Sequence, residues 1–412
     1  MHYLIIGNVK SRSFALCFVR LIKRLSNSLN KQTFTLKLKR QDSVEVYIKN
    51  VMRRDQDMLD DLQGHGDVAV SLRFYCLMRN GNLLLALPKD KKIASLTLRL
   101  YQPQSYKAKL LVKWVAVLVK FGAHLLLPSF NVKVGGDSAL ADLIKRNEQL
   151  GILLGNPEGK SRKAIAVCHN ANEIVVAKIG IGKAAKRSVQ KEAAMIESLP
   201  ENYLGIAAMK KCRGRADWYY YTTPFIVGDS PVQKQDSQVL ALLDDWVGHF
   251  TLQRLRDTQI WESLKFHERL GRRKSYSDFI ERLGELDIKV GLYHGDFAPW
   301  NIKISEGGVV NVMDWEYARL DGLAGWDWLH YMIQRVMLVD GASLDDAIAD
   351  CCKWADTEQG ALFLHNTGWG KNVDLWIGSY LIYSSWVDGF DRAEGSLERI
   401  CADIAAHRAI CR

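Results

Sequence analysis

Residues 291–318 read GLYHGDFAPWNIKISEGGVVNVMDWEYA, and three side chains within them have the makings of one reaction. Transfer of a phosphoryl group to a hydroxyl requires a base beside the hydroxyl, hard oxygen ligands for magnesium and positive charge near the phosphates. Asp296 can supply the base, and Asn301, five residues on, can place a carbonyl oxygen on the metal. Residues 302–304 and 309–313 read as two short strands joined by Ser305-Glu306-Gly307-Gly308. A hairpin there returns the chain beside its starting point, so Asp314 is expected close to Asn301 as a second hard ligand.

His294-Gly295-Asp296 with Asn301, followed by Asp314-Trp315-Glu316-Tyr317-Ala318, resembles the aminoglycoside phosphotransferase and choline kinase superfamily. The resemblance covers about residues 135–412 and is most specific in the stretch just quoted. It implies a two-lobed protein-kinase-like fold, with ATP and Mg2+ as cofactors and a small-molecule hydroxyl as acceptor. It makes Asp296 the catalytic base, His294 a brace of the catalytic loop, and Asn301 and Asp314 the metal ligands. Asp327, in Gly325-Trp326-Asp327-Trp328, resembles the family's later aspartate that holds this loop; a helix N-cap is the other reading.

The resemblance also asks for a lysine on the α- and β-phosphates and a helix glutamate to hold it. Lys178 closes an apolar strand at 173–179, and Glu192 sits on the helical stretch 183–199, with Glu197 as its competitor. Residues 155–161, GNPEGKS, fail as a P-loop: the required first glycine is Leu154, and the segment precedes a strand rather than a helix. The resemblance makes this segment, with Gly155 and Gly159, the loop over the nucleotide phosphates, against an ordinary β-turn. Residues 222–228 are expected to join the lobes and receive the adenine.

These residues need elements to hold them. Strand-like runs at 164–168, 173–179 and 219–227 precede helical text at 239–255, 276–286, 326–339, 344–355, 375–387 and 393–407, and a further helix is expected at 139–150. Strands first and helices after describe an α+β chain with a small β-rich N-lobe (134–229) and a larger helical C-lobe (230–412). Before them, residues 1–133 carry signals of their own: an apolar run with bases at 14–25, an alternating strand at 33–38, and a hairpin over 74–87 around Asn80-Gly81. They are expected to form a basic accessory α/β domain. Several of the 12 tryptophans lie between 315 and 386, where they either line an acceptor pocket or fill the core.

Charge divides the chain in the same place. Residues 1–133 hold 23 Lys and Arg against 8 Asp and Glu, a balance of +15, while the rest carries −5. Clustered bases would favour nucleic acid, but these are dispersed among apolar strands, so that partner ranks last. Two roles stand side by side for residues 1–133: contact with an anionic surface, the membrane's cytoplasmic face or an acceptor attached to it, or plain packing on the more acidic remainder. The apolar segment 110–128 is nearly long enough to span a bilayer, yet Lys113 and Lys120 interrupt it. Each central charge costs roughly 2.5–3.5 kcal/mol on insertion scales, which favours a half-buried or interfacial helix. Eight scattered cysteines without a C-x-x-C pair suggest neither zinc nor a disulfide framework. No signal peptide is read at the start, and a cytoplasmic protein, peripheral at the inner membrane face, is expected. The competing functional reading is a catalytically weak, nucleotide-binding regulator of the same fold.

Overall fold

Alternation along the first strand puts Phe74 and Cys76 on one face and Tyr75 and Leu77 on the other, and all four are buried. A sheet with two buried faces needs a layer on each side, and the chain supplies both. This computed structural model describes Leu62 and residues 67–387, apart from 80–81, 104–105, 146–148, 156–161, 170–172, 201–202 and 266–273. The elements expected at 14–25, 33–38 and 393–407, the Asn80-Gly81 turn and Gly159 lie outside the described residues. The chain divides into two units, Met1–Ala193 with Ala208–Phe225, and Ala194–Ala207 with Ile226–Arg412.

The first unit is built on β1 (Val68–Arg79), β2 (Asn82–Leu87), β3 (Ser129–Gly135), β4 (Gln149–Leu154), β5 (Lys163–His169), β6 (Ile174–Ile181), β7 (Lys211–Gly214) and β8 (Trp218–Pro224). They form one antiparallel sheet in the order β3-β1-β2-β4-β5-β6-β8-β7. Arg79 pairs with Asn82, so β1 and β2 make the expected hairpin. β2 pairs with β4, so the sheet runs unbroken past residue 133. The expected boundary there is a change in charge, not a break in the sheet. Backbone pairing follows hydrogen-bond geometry, whereas net charge is a property of the surface.

Helix α1 (Lys91–Leu100), capped by Asp90 accepting from the Ile93 N–H at 2.9 Å, and helix α2 (Tyr106–Lys120) cover one face of the sheet. Val115 and Val119 of α2 are buried against that face, while Lys109, Lys113 and Lys120 are exposed. Each fully buried valine contributes roughly 1.5–3 kcal/mol, and the helix is half-buried as its lysine stripe required. No described helix is long and apolar enough to cross a membrane. The other face packs on α3 (Ala139–Ile144) through Leu140 and Leu143. The helix expected over 139–150 stops early because Leu150, Ile152 and Leu154 switch to strand periodicity and pair with β5. Helix α4 (Gly182–Ser198) follows β6.

The second unit is mainly helical: α5 (Asp236–Gly248), α6 (Gln259–Lys265), α7 (Lys274–Gly284), α8 (Trp326–Gln334), α9 (Leu344–Ala355), α10 (Glu358–Thr367) and α11 (Val373–Val387). A π-helical turn, Arg335–Asp340, prolongs α8. The helix expected at 239–255 gives way after Gly248 to β9 (Thr251–Arg254), which pairs with β10 (Asp287–Tyr293). β13 (Arg319–Leu323) completes that three-stranded sheet, and β11 (Ile302–Ile304) with β12 (Val310–Val312) forms the expected hairpin. Trp315, Trp326, Trp328, Trp369 and Trp376 are buried, so these tryptophans are core rather than pocket lining. Cys352 is disulfide-bonded, a link its spacing did not suggest, while Cys76, Cys168, Cys212 and Cys351 are free thiols. The β-rich first unit and helical second unit are the α+β arrangement expected of the chain.

Candidate active site

β10 ends at Tyr293, and the turn after it depends on Gly295, whose φ is 83°. A Cβ there would lie 2.7 Å from the Tyr317 carbonyl oxygen, so only glycine fits. Two backbone donors exposed by this turn, the N–H groups of His294 and Gly295, reach the Asp327 carboxylate at 2.8 and 3.2 Å. Asp327 lies in the first turn of α8 and is buried; burial raises its pKa to about 7 against the opposing pull of those two N–H groups. The N-cap position of α8 belongs to Gly325, so Asp327 braces the loop rather than capping its helix.

His294 is fully buried and uses both ring nitrogens locally. Its Nε2 faces the Met313 carbonyl at 3.0 Å, which only accepts, so Nε2 carries the proton. Nδ1 is then the acceptor for the Asp296 N–H at 3.3 Å. Burial holds the ring neutral, with its pKa lowered to about 4, and Trp315 packs edge-on to it at 4.7 Å. The geometry is that of a brace and leaves His294 no free nitrogen for proton transfer.

A 3-10 turn, Pro299–Asn301, carries Asn301 back over the loop, and Pro299 pre-sets its first residue. The Asn301 Nδ2 donates to the Asp296 carbonyl oxygen at 2.9 Å and to its Oδ2 at 2.8 Å. With the amide nitrogen so engaged, the carbonyl oxygen is the atom left to face a cation. Across the β11–β12 hairpin, Ile302 pairs with Val312, and the Met313 N–H donates to the main-chain carbonyl of Asn301 at 2.8 Å, which leaves the side-chain oxygen unaffected. The next residue, Asp314, has φ 70°, the one positive φ at a non-glycine among the described residues. Such a conformation costs on the order of 1–3 kcal/mol and tends to occur where a side chain must be aimed. Asn301 and Asp314 thus flank the open end of the hairpin, as the spacing required.

Among the described residues no three or more His, Cys, Asp or Glu gather as a metal cage. One amide oxygen and one carboxylate are a two-ligand set of hard donors. That fits magnesium, which keeps several waters and takes phosphate oxygens as its remaining ligands.

A further contact to Asp296 lies outside what the sequence led one to expect. His330 of α8, buried, places Nε2 3.1 Å from the Asp296 Oδ1, and its Nδ1 lies 2.8 Å from the Tyr380 hydroxyl of α11. The available signal was its position three residues after Asp327, on the same helix face.

In the first unit, the Lys178 Nζ on β6 lies 2.8 and 2.7 Å from the two carboxylate oxygens of Glu192 on α4. Glu192 is wholly buried and Lys178 nearly so, whereas Glu197 is exposed and is not the partner. Gly155 follows β4; its N–H donates to the Lys163 carbonyl at 2.8 Å, and a Cβ would lie 2.9 Å from that oxygen. The segment 156–161 therefore joins two antiparallel strands, which a P-loop does not. The chain leaves the first unit after Phe225, within the expected 222–228 connection.

No protein-family model and no curated protein matches the chain. Among solved structures, a thermostable mutant of aminoglycoside phosphotransferase APH(4)-Ia in ternary complex with ADP and hygromycin B gives a TM-score of 0.41 at 14% identity, over 63% of this chain and 94% of that one. The choline kinase LicA from Streptococcus pneumoniae gives 0.39 at 14%, over 62% and 94%. The streptomycin-ATP-APH(2")-IIa complex gives 0.36 at 14%, over 65% and 96%.

Proposed function

We propose that this chain is an ATP- and magnesium-dependent phosphotransferase of protein-kinase-like fold that acts on a hydroxyl of a small molecule: a sugar, an aminoglycoside, an amino alcohol or a glycan-linked acceptor. The observation that carries the reading is the Asp296 carboxylate, tied by Asn301 to the hairpin that ends in Asp314. In this reading Asp296 accepts the proton of the acceptor hydroxyl, whose oxygen attacks the γ-phosphorus as the bond to the β-phosphate oxygen breaks and ADP leaves. Asn301 and Asp314 would hold magnesium, which when bound neutralises charge on the phosphates. Lys178, fixed by Glu192, would bind the α- and β-phosphates, with Gly155 and Gly159 in the loop that covers them. His294 and Asp327 keep the loop in place. Mg·ATP turnover against a panel of sugars, amino alcohols and aminoglycosides, with products weighed by mass spectrometry, tests this. A phosphorylated acceptor supports it, and tight ATP binding without transfer to any of them would favour the regulator.

For residues 1–133 we propose docking on an anionic lipid surface. The +15 balance, the exposed lysines of α2 and the 74% exposed Phe121 just beyond it support this. Each base near such a surface contributes on the order of 1 kcal/mol. Co-sedimentation with anionic vesicles should be seen and should weaken with salt; no binding at low salt to anionic or neutral vesicles would leave these bases a packing role only.

A further inference from the structure

Asp296 is held on both sides. Asn301 occupies one carboxylate oxygen, and a side chain from a distant helix occupies the other. A carboxylate oxygen only accepts, so the His330 Nε2 must carry the proton that faces Asp296. In the neutral imidazole Nδ1 then has the lone pair, and the Tyr380 hydroxyl donates to it. Tyr380 is itself buried, and its ring meets that of His330 edge-on at 6.2 Å. Donor direction is thereby fixed in sequence from α11 through α8 to a single atom, the Asp296 Oδ1.

A core histidine whose purpose is packing satisfies its nitrogens with whatever lies near, commonly backbone carbonyls. Here both nitrogens go to side chains, in a helix that buries Trp326, Trp328, Leu329 and Met332 alongside the polar Asp327, Tyr331 and Gln334. An apolar residue would fill that space with no desolvation of an imidazole. What the imidazole adds is a donor aimed at the carboxylate. With one donor on each oxygen, the carboxylate cannot rotate about its last bond without losing a hydrogen bond. The lone pairs that remain keep one direction.

We propose that His330, oriented by Tyr380, is a positioning residue that fixes the rotation of the Asp296 carboxylate for the acceptor hydroxyl. The proposal rests on the kinase reading for its catalytic consequence, but its structural part can be tested without turnover. Misplacing a reacting group by a small distance costs up to about 100-fold in rate. Accordingly, His330→Leu should lower kcat by about 10–100-fold while the affinity for Mg·ATP and the acceptor KM stay unchanged. His330→Gln, whose amide nitrogen can donate along the same line, should recover much of that loss, and Tyr380→Phe should lose less than His330→Leu. In an Asp296→Ala background His330→Leu should cost nothing more, since it acts only through that carboxylate. Wild-type kcat in His330→Leu, or equal losses in the Leu and Gln variants, would overturn the proposal.

The second readout is the imidazole itself. Nitrogen-15 spectra of histidine-labelled full-length protein should show His330 with its proton on Nε2, and that signal should move in Asp296→Ala. An unmoved signal, or a proton on Nδ1, would overturn the proposal even if the chain phosphorylates an acceptor. A wild-type chain that phosphorylates nothing while its His330 signal behaves as expected would instead count against the kinase reading.

Discussion

Lys178 stands on a strand, and its carboxylate partner Glu192 comes from the helix that directly follows. Asp296 stands on a loop and is tied down by a turn of its own chain, by Asn301 and by His330, while Asp327 and His294 hold the backbone beneath it. The contrast follows from what each group would be asked to do. A lysine ammonium is a compact point charge on a flexible stem with three rotatable donors, so it can meet a phosphate oxygen from several angles. A base must meet one proton at one angle, so its supporting bonds come from several elements and leave little freedom. Binding tolerates slack that chemistry does not.

The largest expected effect is on the tightly held side. Asp296→Asn should reduce kcat by about 10²–10⁴-fold, the usual contribution of a general base, with Mg·ATP affinity little changed. Turnover and nucleotide titration check it, and a variant that keeps most of its turnover removes Asp296 from the mechanism. Next, Asp314→Ala should abolish the gain in ATP affinity that magnesium confers, because it deletes a hard ligand. Calorimetry with ATP, with and without the metal, reads this directly; a magnesium-dependent gain that survives contradicts the assignment.

On the slacker side, Lys178→Ala should raise the ATP KM or lower kcat, and Glu192→Ala should resemble it more mildly. Their double mutant should lose no more than Lys178→Ala alone, since residues acting as a unit are not additive. Fully additive losses would show that the pair does not act together.

The smallest effect is on stability. The Asp327 carboxyl is raised from its usual 3.8 to about 7 by burial, so its contribution is full below pH 4 and is lost as pH rises through 7. His294, lowered from 6.5 to about 4, acts in the opposite sense: its contribution is full above 6.5 and is lost as pH falls towards 4. Across one window the two slopes offset each other. Asp327→Asn removes the first and leaves a backbone N–H facing an amide nitrogen. It should cost about 1–3 kcal/mol and should gain stability from pH 4 to 7 more steeply than the wild type. Denaturant titrations over that range check it, and an unchanged slope would place the raised group elsewhere.

What the sequence disclosed follows the reach of each interaction along the chain. Asp296, Asn301 and Asp314 could be read because one turn and one hairpin join them. Lys178 and Glu192 could be read because a helix directly follows its strand. His330 meets Asp296 across 34 residues, and nothing local announces that contact. The helices expected at 139–150 and 239–255 end early, where helix-forming residues enter strands fixed by pairing with β2 and β10, far away in the sequence. β13, with Asp321 and Gly322 in its middle, has little strand signal of its own and exists through its pairing with β10. The charge step at 133 was real, but the sheet runs on past it.

One measurement weighs the comparison as a whole: kcat and Mg·ATP affinity for Asp296→Asn and Lys178→Ala, taken side by side on one acceptor that the wild type phosphorylates. The expected result is a split, in which Asp296→Asn loses kcat and keeps its affinity while Lys178→Ala loses affinity or saturates at a higher ATP concentration. Equal losses of affinity in both variants, or a Lys178→Ala chain that binds ATP as the wild type does and turns over as fast, would contradict it.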